Sequence, residues 1–154
     1  MIEKTNSSNS DDSCDISGPE SGPYQIIIQD FVSSVIPKIF SVDNPVSVSI
    51  HLTDDSEIQK LNKEYRNVDS ETDVLSFEDG FISPDGIYHA GEIAVSVPYA
   101  KRTKDNRTLE QYILFLITHG LLHLSGTHHE TEEEREEVIE IGEKILREYN
   151  ESHS

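Results

Sequence analysis

The segment from Thr108 to Gly126 constrains this chain more than any other. Thr108 and Gln111 stand at capping-box spacing, and the residues that follow are almost continuously apolar through Leu124. Gly126 is placed to end the helix in a left-handed turn. A helix this apolar needs other elements to cover it, so the rest of the chain must supply a sheet or further helices.

The flanking sequence supplies both. Ile28, Phe31, Val32, Val35, Ile39 and Phe40 recur at helical spacing and predict an amphipathic helix, interrupted or kinked near Pro37. Val46, Val48, Ile50 and Leu52 alternate with polar residues, the pattern of a half-buried strand. Asp54 and Glu57 open a helix carrying Ile58, Leu61 and Tyr65 on one face. A short strand is expected at 73–77, then a turn-rich loop or hairpin at 78–90, then a strand through Ile93, Val95 and Val97 that stops at Pro98. Thr131 and Glu134 open a last helix with Val138, Ile141, Ile145 and Tyr149 as its core face and glutamates as its solvated face. Strands alternating with helices predict an α+β fold with α/β character: a small mixed sheet with helices around it and a metal cleft formed by the histidine helix.

Residues 1–23 carry five acids against one lysine and almost nothing apolar, and are expected to be a disordered tail. Residues 24–154 then form a single domain. No window approaches the roughly 18 apolar residues of a membrane span, and no charged-then-apolar leader opens the sequence. Cys14 is the only cysteine, which excludes an internal disulfide and paired-thiolate zinc sites and points to a reducing cytoplasm, with no disulfide-linked partner. The net charge of −18 argues against binding nucleic acid by bulk electrostatics, so action on RNA would need a local basic patch, a metal or a docking partner.

His119 and His123 stand four apart on the apolar helix, one above the other on the same face, where two imidazoles can converge on one ion. The reversal at Gly126 can return His129 to a third coordination position; His128 is the alternative third ligand, an outer partner of the site, or a solvated residue. Three neutral imidazoles bind zinc at about 2.0–2.1 Å and leave a fourth position open, as catalytic rather than structural sites do. One Zn2+ per chain is therefore expected, with nickel, cobalt or copper able to use the same ligands. His51, His89 and His153 have no such company and read as ordinary surface residues.

The spacing His-x-x-x-His-x-x-Gly-x-x-His is shared with metzincin proteases, in which the residue after the first histidine is a glutamate base. Gly120 occupies that position, and the only methionine, Met1, cannot form a methionine turn. The sequence instead resembles the YbeY family of bacterial endoribonucleases and ribosome-maturation factors. The family's His-Gly-x-Leu-His-Leu-x-Gly-Tyr-Asp-His matches residues 119–129 except at Thr127 and His128. Its Leu-Asn-x-x-Tyr-Arg block appears as Leu61 to Arg66, its Thr-Asp-Val-Leu-Ser-Phe as Thr72 to Phe77, and its Gly-Asp-Ile as Gly91-Glu92-Ile93. The resemblance runs from Tyr24 to Tyr149.

It implies a single-strand-specific, zinc-dependent endoribonuclease of cytoplasmic ribosomal RNA processing, including 16S rRNA maturation, and of ribosome quality control. Ribosomal RNA and the small subunit would be its partners. It also favours His129 as third ligand and gives Arg66 a catalytic role, although an arginine at a helix end also suits the helix dipole. Lys60 and Lys63 with Arg66, and Lys101, Arg102, Lys104 and Arg107, form two basic clusters that could either guide RNA or simply solubilise the surface. The alternatives are a non-catalytic, zinc-stabilised ribosome-assembly factor and a metal-dependent hydrolase of another substrate.

Overall fold

The structure is a computed structural model, and it describes residues 12–127 and 130–153. Strand β1 (Ser13–Ser17) leads through a short 3-10 turn to helix α1 (Gln25–Ile39). Strand β2 (Val46–Thr53) and helix α2 (Asp55–Arg66) follow, then strands β3 (Val74–Ile82) and β4 (Tyr88–Ser96). Helices α3 (Val97–Thr103), α4 (Leu109–Leu124) and α5 (Glu132–Ser152) complete the described chain.

The four strands form one mixed sheet in the order β1-β2-β4-β3. β1 and β4 run parallel to β2, and β3 pairs antiparallel with β4 through a turn at Ser83 to Ile87. The sheet side chains alternate as pleating requires. Ile93 and Val95 enter the large core beneath α1, α4 and α5, whereas Ala94 joins Leu75 and Ile58 in a smaller cluster with Leu61 and Phe77. α2 therefore covers the face opposite α4. Ile113, Leu114, Ile117 and Leu121 of α4 are all essentially inaccessible, and each such side chain contributes roughly 1.5–3 kcal/mol relative to exposure.

The expected mixed sheet with surrounding helices is what forms, and several details differ. Residues 1–11 of the expected tail lie outside the described residues, but Ser13 to Ser17 form an ordered edge strand, so the disordered tail does not extend to residue 23. Cys14 and Ile16 turn inward while Ser13, Asp15 and Ser17 turn out, and Val48 and Ile50 provide the apolar partners. Burial pushes the Cys14 thiol up to about 12, with Asp15 adding to the shift, which leaves it un-ionised at neutral pH.

Pro37 falls within the last turn of α1, so the helix simply ends two residues later. The strand expected to stop at Pro98 ends at Ser96, and Pro98 sits in the first turn of α3, where it has no hydrogen bond to lose. Ile141 is 45% exposed, and the buried face of α5 is Val138, Gly142, Leu146 and Tyr149. His51 is held between Ser17 Oγ at 2.9 Å and Glu57 Oε1 at 3.1 Å, stitching β1, β2 and α2 together rather than standing free at the surface.

Candidate metal centre

α4 carries His119 and His123 because its two ends are fixed. Thr108 Oγ1 accepts the Gln111 N–H at 3.1 Å at the start. At the finish, Gly126 (φ 100°) donates to the His123 carbonyl and Thr127 to the Leu122 carbonyl, both at 3.0 Å, which is a Schellman closure. The helix is thus locked at the turn bearing His123. The two imidazole rings lie one above the other with centroids 5.1 Å apart, tilted by 52°, and both are half-buried.

They open into a cleft of about 560 Å³. Asp73 to Ser76 form its β3 side, Tyr112 and Phe115 lie upstream on α4, Arg135 and Ile139 come from α5, and Arg66 reaches in from the end of α2. The residues given for catalysis and metal binding on sequence grounds, Arg66, His119 and His123, therefore share one cavity. His128 and His129 lie outside the described residues.

Arg66 is positioned by the way α2 stops. Asn67 adopts a left-handed conformation (φ 59°), and its N–H caps the carbonyls of Asn62 and Lys63. The buried Asn62 amide donates to the Ser70 carbonyl at 3.0 Å, and Val68 N–H donates to the Asn62 carbonyl at 3.2 Å. Tyr65 rests on Phe77 of β3, ring centroids 5.1 Å apart. This knot of contacts holds the end of α2 against the strand that borders the cleft.

Asp73 organises the neighbouring wall. Its backbone carbonyl accepts Ser96 N–H at 2.9 Å, and its carboxylate accepts the Tyr112 hydroxyl at 3.5 Å and the Thr72 hydroxyl at 3.4 Å. Burial, with the Asp73 charge adding to it, raises the Tyr112 phenol above its ordinary value. Tyr112 and Phe115 lie with nearly parallel rings, 16° apart, and Arg107 covers Phe115 with its guanidinium 4.2 Å from the ring centre.

The expected basic clusters do not converge here. Lys60 and Lys63 border a separate groove of about 820 Å³ beside Thr53 and Pro19. Arg102 pairs with Asp55 at 2.8 Å and Glu71 at 3.4 Å. Lys104 donates to the Arg107 carbonyl at 3.2 Å, Arg107 pairs with Glu143 at 2.9 Å, and Lys101 is exposed on α3. Among the described residues, the cations lining the histidine cleft are Arg66 and Arg135. Arg135 escaped sequence reading because it lies among glutamates assigned to a solvated face. One signal was available: Arg135 is the cation that directly follows the acidic first turn of the helix.

The chemistry of the described donors suits a divalent ion of borderline softness: two imidazoles one helical turn apart, facing a cavity rather than the core. Among the described residues no three histidine, cysteine or acidic side chains meet, so a closed site of three or more such ligands would have to draw on residues outside them.

A family model for endoribonuclease YbeY matches residues 9–150. The chain belongs to the endoribonuclease YbeY family. The endoribonuclease YbeY of Sulfurihydrogenibium sp. is 38% identical over 125 residues, covering 78% of this chain and 82% of that protein. The endoribonuclease YbeY of Heliobacterium modesticaldum is 35% identical over 136 residues, covering 80% and 82%. The solution structure of TM1509 from Thermotoga maritima superposes with a TM-score of 0.58 at 26% identity, covering 91% of this chain and 93% of that one. The YbeY match reaches well ahead of Tyr24 and includes β1, so the opening strand belongs to the family domain.

Proposed function

We propose that this chain is a zinc-dependent endoribonuclease that cleaves unpaired segments of ribosomal RNA in the cytoplasm, with the small ribosomal subunit and its 16S rRNA as its setting. The observation that carries the reading is one cavity lined by His119, His123 and Arg66 together. Family membership supplies the reaction class.

His119, His123 and His129 would hold the ion, and a zinc ion so held contributes Lewis acidity towards a phosphoryl oxygen and a supply of hydroxide near neutral pH. Arg66 offers a planar fork of N–H donors that matches two phosphate oxygens, and so binds and orients the scissile phosphate as negative charge builds on it. Tyr112 and Phe115 present rings on which an unpaired base can stack, and such stacking is available only to single-stranded RNA. Gly120 leaves no carboxylate beside His119, so the metzincin-type glutamate base is absent at that position.

The test is metal analysis of the purified protein followed by ribosomal RNA cleavage with and without chelator. His119→Ala and His123→Ala should lose most of the metal and the activity. Arg66→Ala should keep the metal and lose activity by a factor of about 10² or more, the usual cost of removing a charge-stabilising donor. Undiminished cleavage by metal-free histidine variants refutes the reading.

A further inference from the structure

We propose that Arg135 is a second phosphate-binding residue of the histidine cleft, gripping the RNA backbone beside the phosphate that Arg66 engages. The proposal rests on the endoribonuclease reading and adds to it a residue that makes this chain's own substrate contact. Arg135 and Arg66 reach the same cavity from different elements, one from the start of α5 and the other from the end of α2.

The orientation of Arg135 follows from how α5 seats on α4. Gly142 faces α4, where a β-carbon would stand at ordinary packing distance from Thr118 Cγ2 (3.5 Å) and Leu122 Cδ1 (3.8 Å). Val138, one turn earlier, is buried, and Ile139 lines the cleft. Arg135 is one turn before Ile139 on the same side, so helical geometry carries its side chain to the mouth of the cavity.

Within α5 the ion pair held by Arg135 is a weak one. The first turn holds Glu132, Glu133 and Glu134, as the positive end of a helix favours, and Arg135 follows them. Its ion pair with Glu132 spans 3.8 Å, with the glutamate side chain 79% exposed, which is too long for a hydrogen bond and heavily screened. A phosphate can displace such a partner.

The charge balance points the same way. In a chain of net charge −18, the charged side chains lining this cavity among the described residues are Arg66 and Arg135 against Asp73. The Asp73 carboxylate accepts from Tyr112 and Thr72. The described lining of the cleft is locally cationic on an acidic protein, and two arginines on it can contact phosphates of one strand. Because the contact is to backbone, it carries affinity and register without base preference.

The experiment uses the full-length, metal-loaded protein and a fluorescent single-stranded oligoribonucleotide of mixed sequence. Anisotropy gives Kd and its salt dependence, and single-turnover cleavage gives the maximal rate separately from the half-saturating concentration. Arg135→Gln should raise Kd and half-saturation about tenfold, lower the slope of log K against log salt by about 0.7, and leave the maximal rate within about twofold. Arg135→Lys should restore the salt slope but only part of the affinity, since a point charge replaces a fork. Glu132→Gln should tighten binding. An unchanged Kd and slope in Arg135→Gln, or a lost maximal rate with Kd intact, overturns the proposal while leaving the endoribonuclease reading in place. A wild-type protein that neither binds nor cleaves the RNA overturns both.

Discussion

Gly120 lies directly on Ile93: a β-carbon built at Gly120 would fall 2.9 Å from both Cδ1 and Cγ2 of that side chain. Ile93 is fully buried in β4, so this is where the histidine helix touches the centre of the sheet. The residue that follows His119 is therefore set by packing. A glutamate here would have to displace the Ile93 side chain beneath it, so the glycine answers to packing against β4.

Gly120→Ala should accordingly destabilise the protein, because Cγ2 of a β-branched residue cannot swing away. Overpacking of this kind typically costs 1–3 kcal/mol. The small gain in helix propensity, about 1 kcal/mol, offsets only part of it. Urea denaturation should show a lower midpoint with unchanged slope, and Ile93→Val with Gly120→Ala should recover part of the loss. A Gly120→Ala midpoint at or above wild type would mean the helix can lift from the sheet without penalty.

Asn62 should act on Arg66 without touching substrate. Its buried amide ties Ser70 to the end of α2, fixing the turn from which Arg66 projects. Asn62→Ala removes that bond and should cost about 1–3 kcal/mol of stability. Once folded, the variant should bind RNA with nearly wild-type affinity but cleave it at least tenfold more slowly, since a misplaced guanidinium loses its transition-state contact first. An equal loss in affinity and rate would instead indicate a general structural defect.

What was legible in the sequence follows from how local each feature is. His119 and His123 meet because residues four apart on a helix share a face, and that needs no knowledge of the fold. The three caps at Asp54, Thr108 and Thr131 were equally local, and each forms. β1 was hidden because composition averaged over 23 residues swamps the alternation of Cys14 and Ile16, and its partner strand begins more than 30 residues away. Ile141 was misplaced because the spacing of apolar side chains gives no weight to Gly142, which lies on the buried face between Val138 and Leu146. The two readings left open for the basic clusters turn on their partners, because closeness in sequence says nothing of ion pairing. Arg102 is held by Asp55 and Glu71, and Arg107 by Glu143, all distant in the chain.

The Arg102 pair makes a prediction at acid pH. The guanidinium of Arg102, helped by the Ser96 hydroxyl, holds the Asp55 carboxyl below its ordinary 3.8. The unfolded chain then binds the proton more tightly than the folded one, so this contribution is full above about pH 4 and disappears as pH falls through the folded value. Arg102→Met should be less stable than wild type at pH 7, and the gap between their denaturation midpoints should narrow as pH falls below about 4. A gap that persists unchanged at pH 3 would assign the effect to lost packing on Tyr99 instead.

Tyr149 carries the corresponding prediction at alkaline pH. Its hydroxyl donates to the Asp30 carboxylate and its ring meets Phe31 edge-on, centroids 4.9 Å apart, so it fastens α5 to α1. Burial first, and Asp30 second, push its phenol from 10.0 up to about 12. Here the folded state holds the proton more tightly than the unfolded chain. The stabilisation is complete below pH 10 and is lost as pH rises towards 12, a change on the order of 2 kcal/mol. Subtracting the phenolate absorbance titration of Tyr149→Phe from that of wild type isolates this one group among six tyrosines. Its midpoint should lie near 12, and stability measured between pH 9 and 11 should fall more steeply for wild type than for Tyr149→Phe. A difference midpoint at 10 would show the phenol already in water, and would break the link between the last helix and the first on which the seating of α5, and with it Arg135, depends.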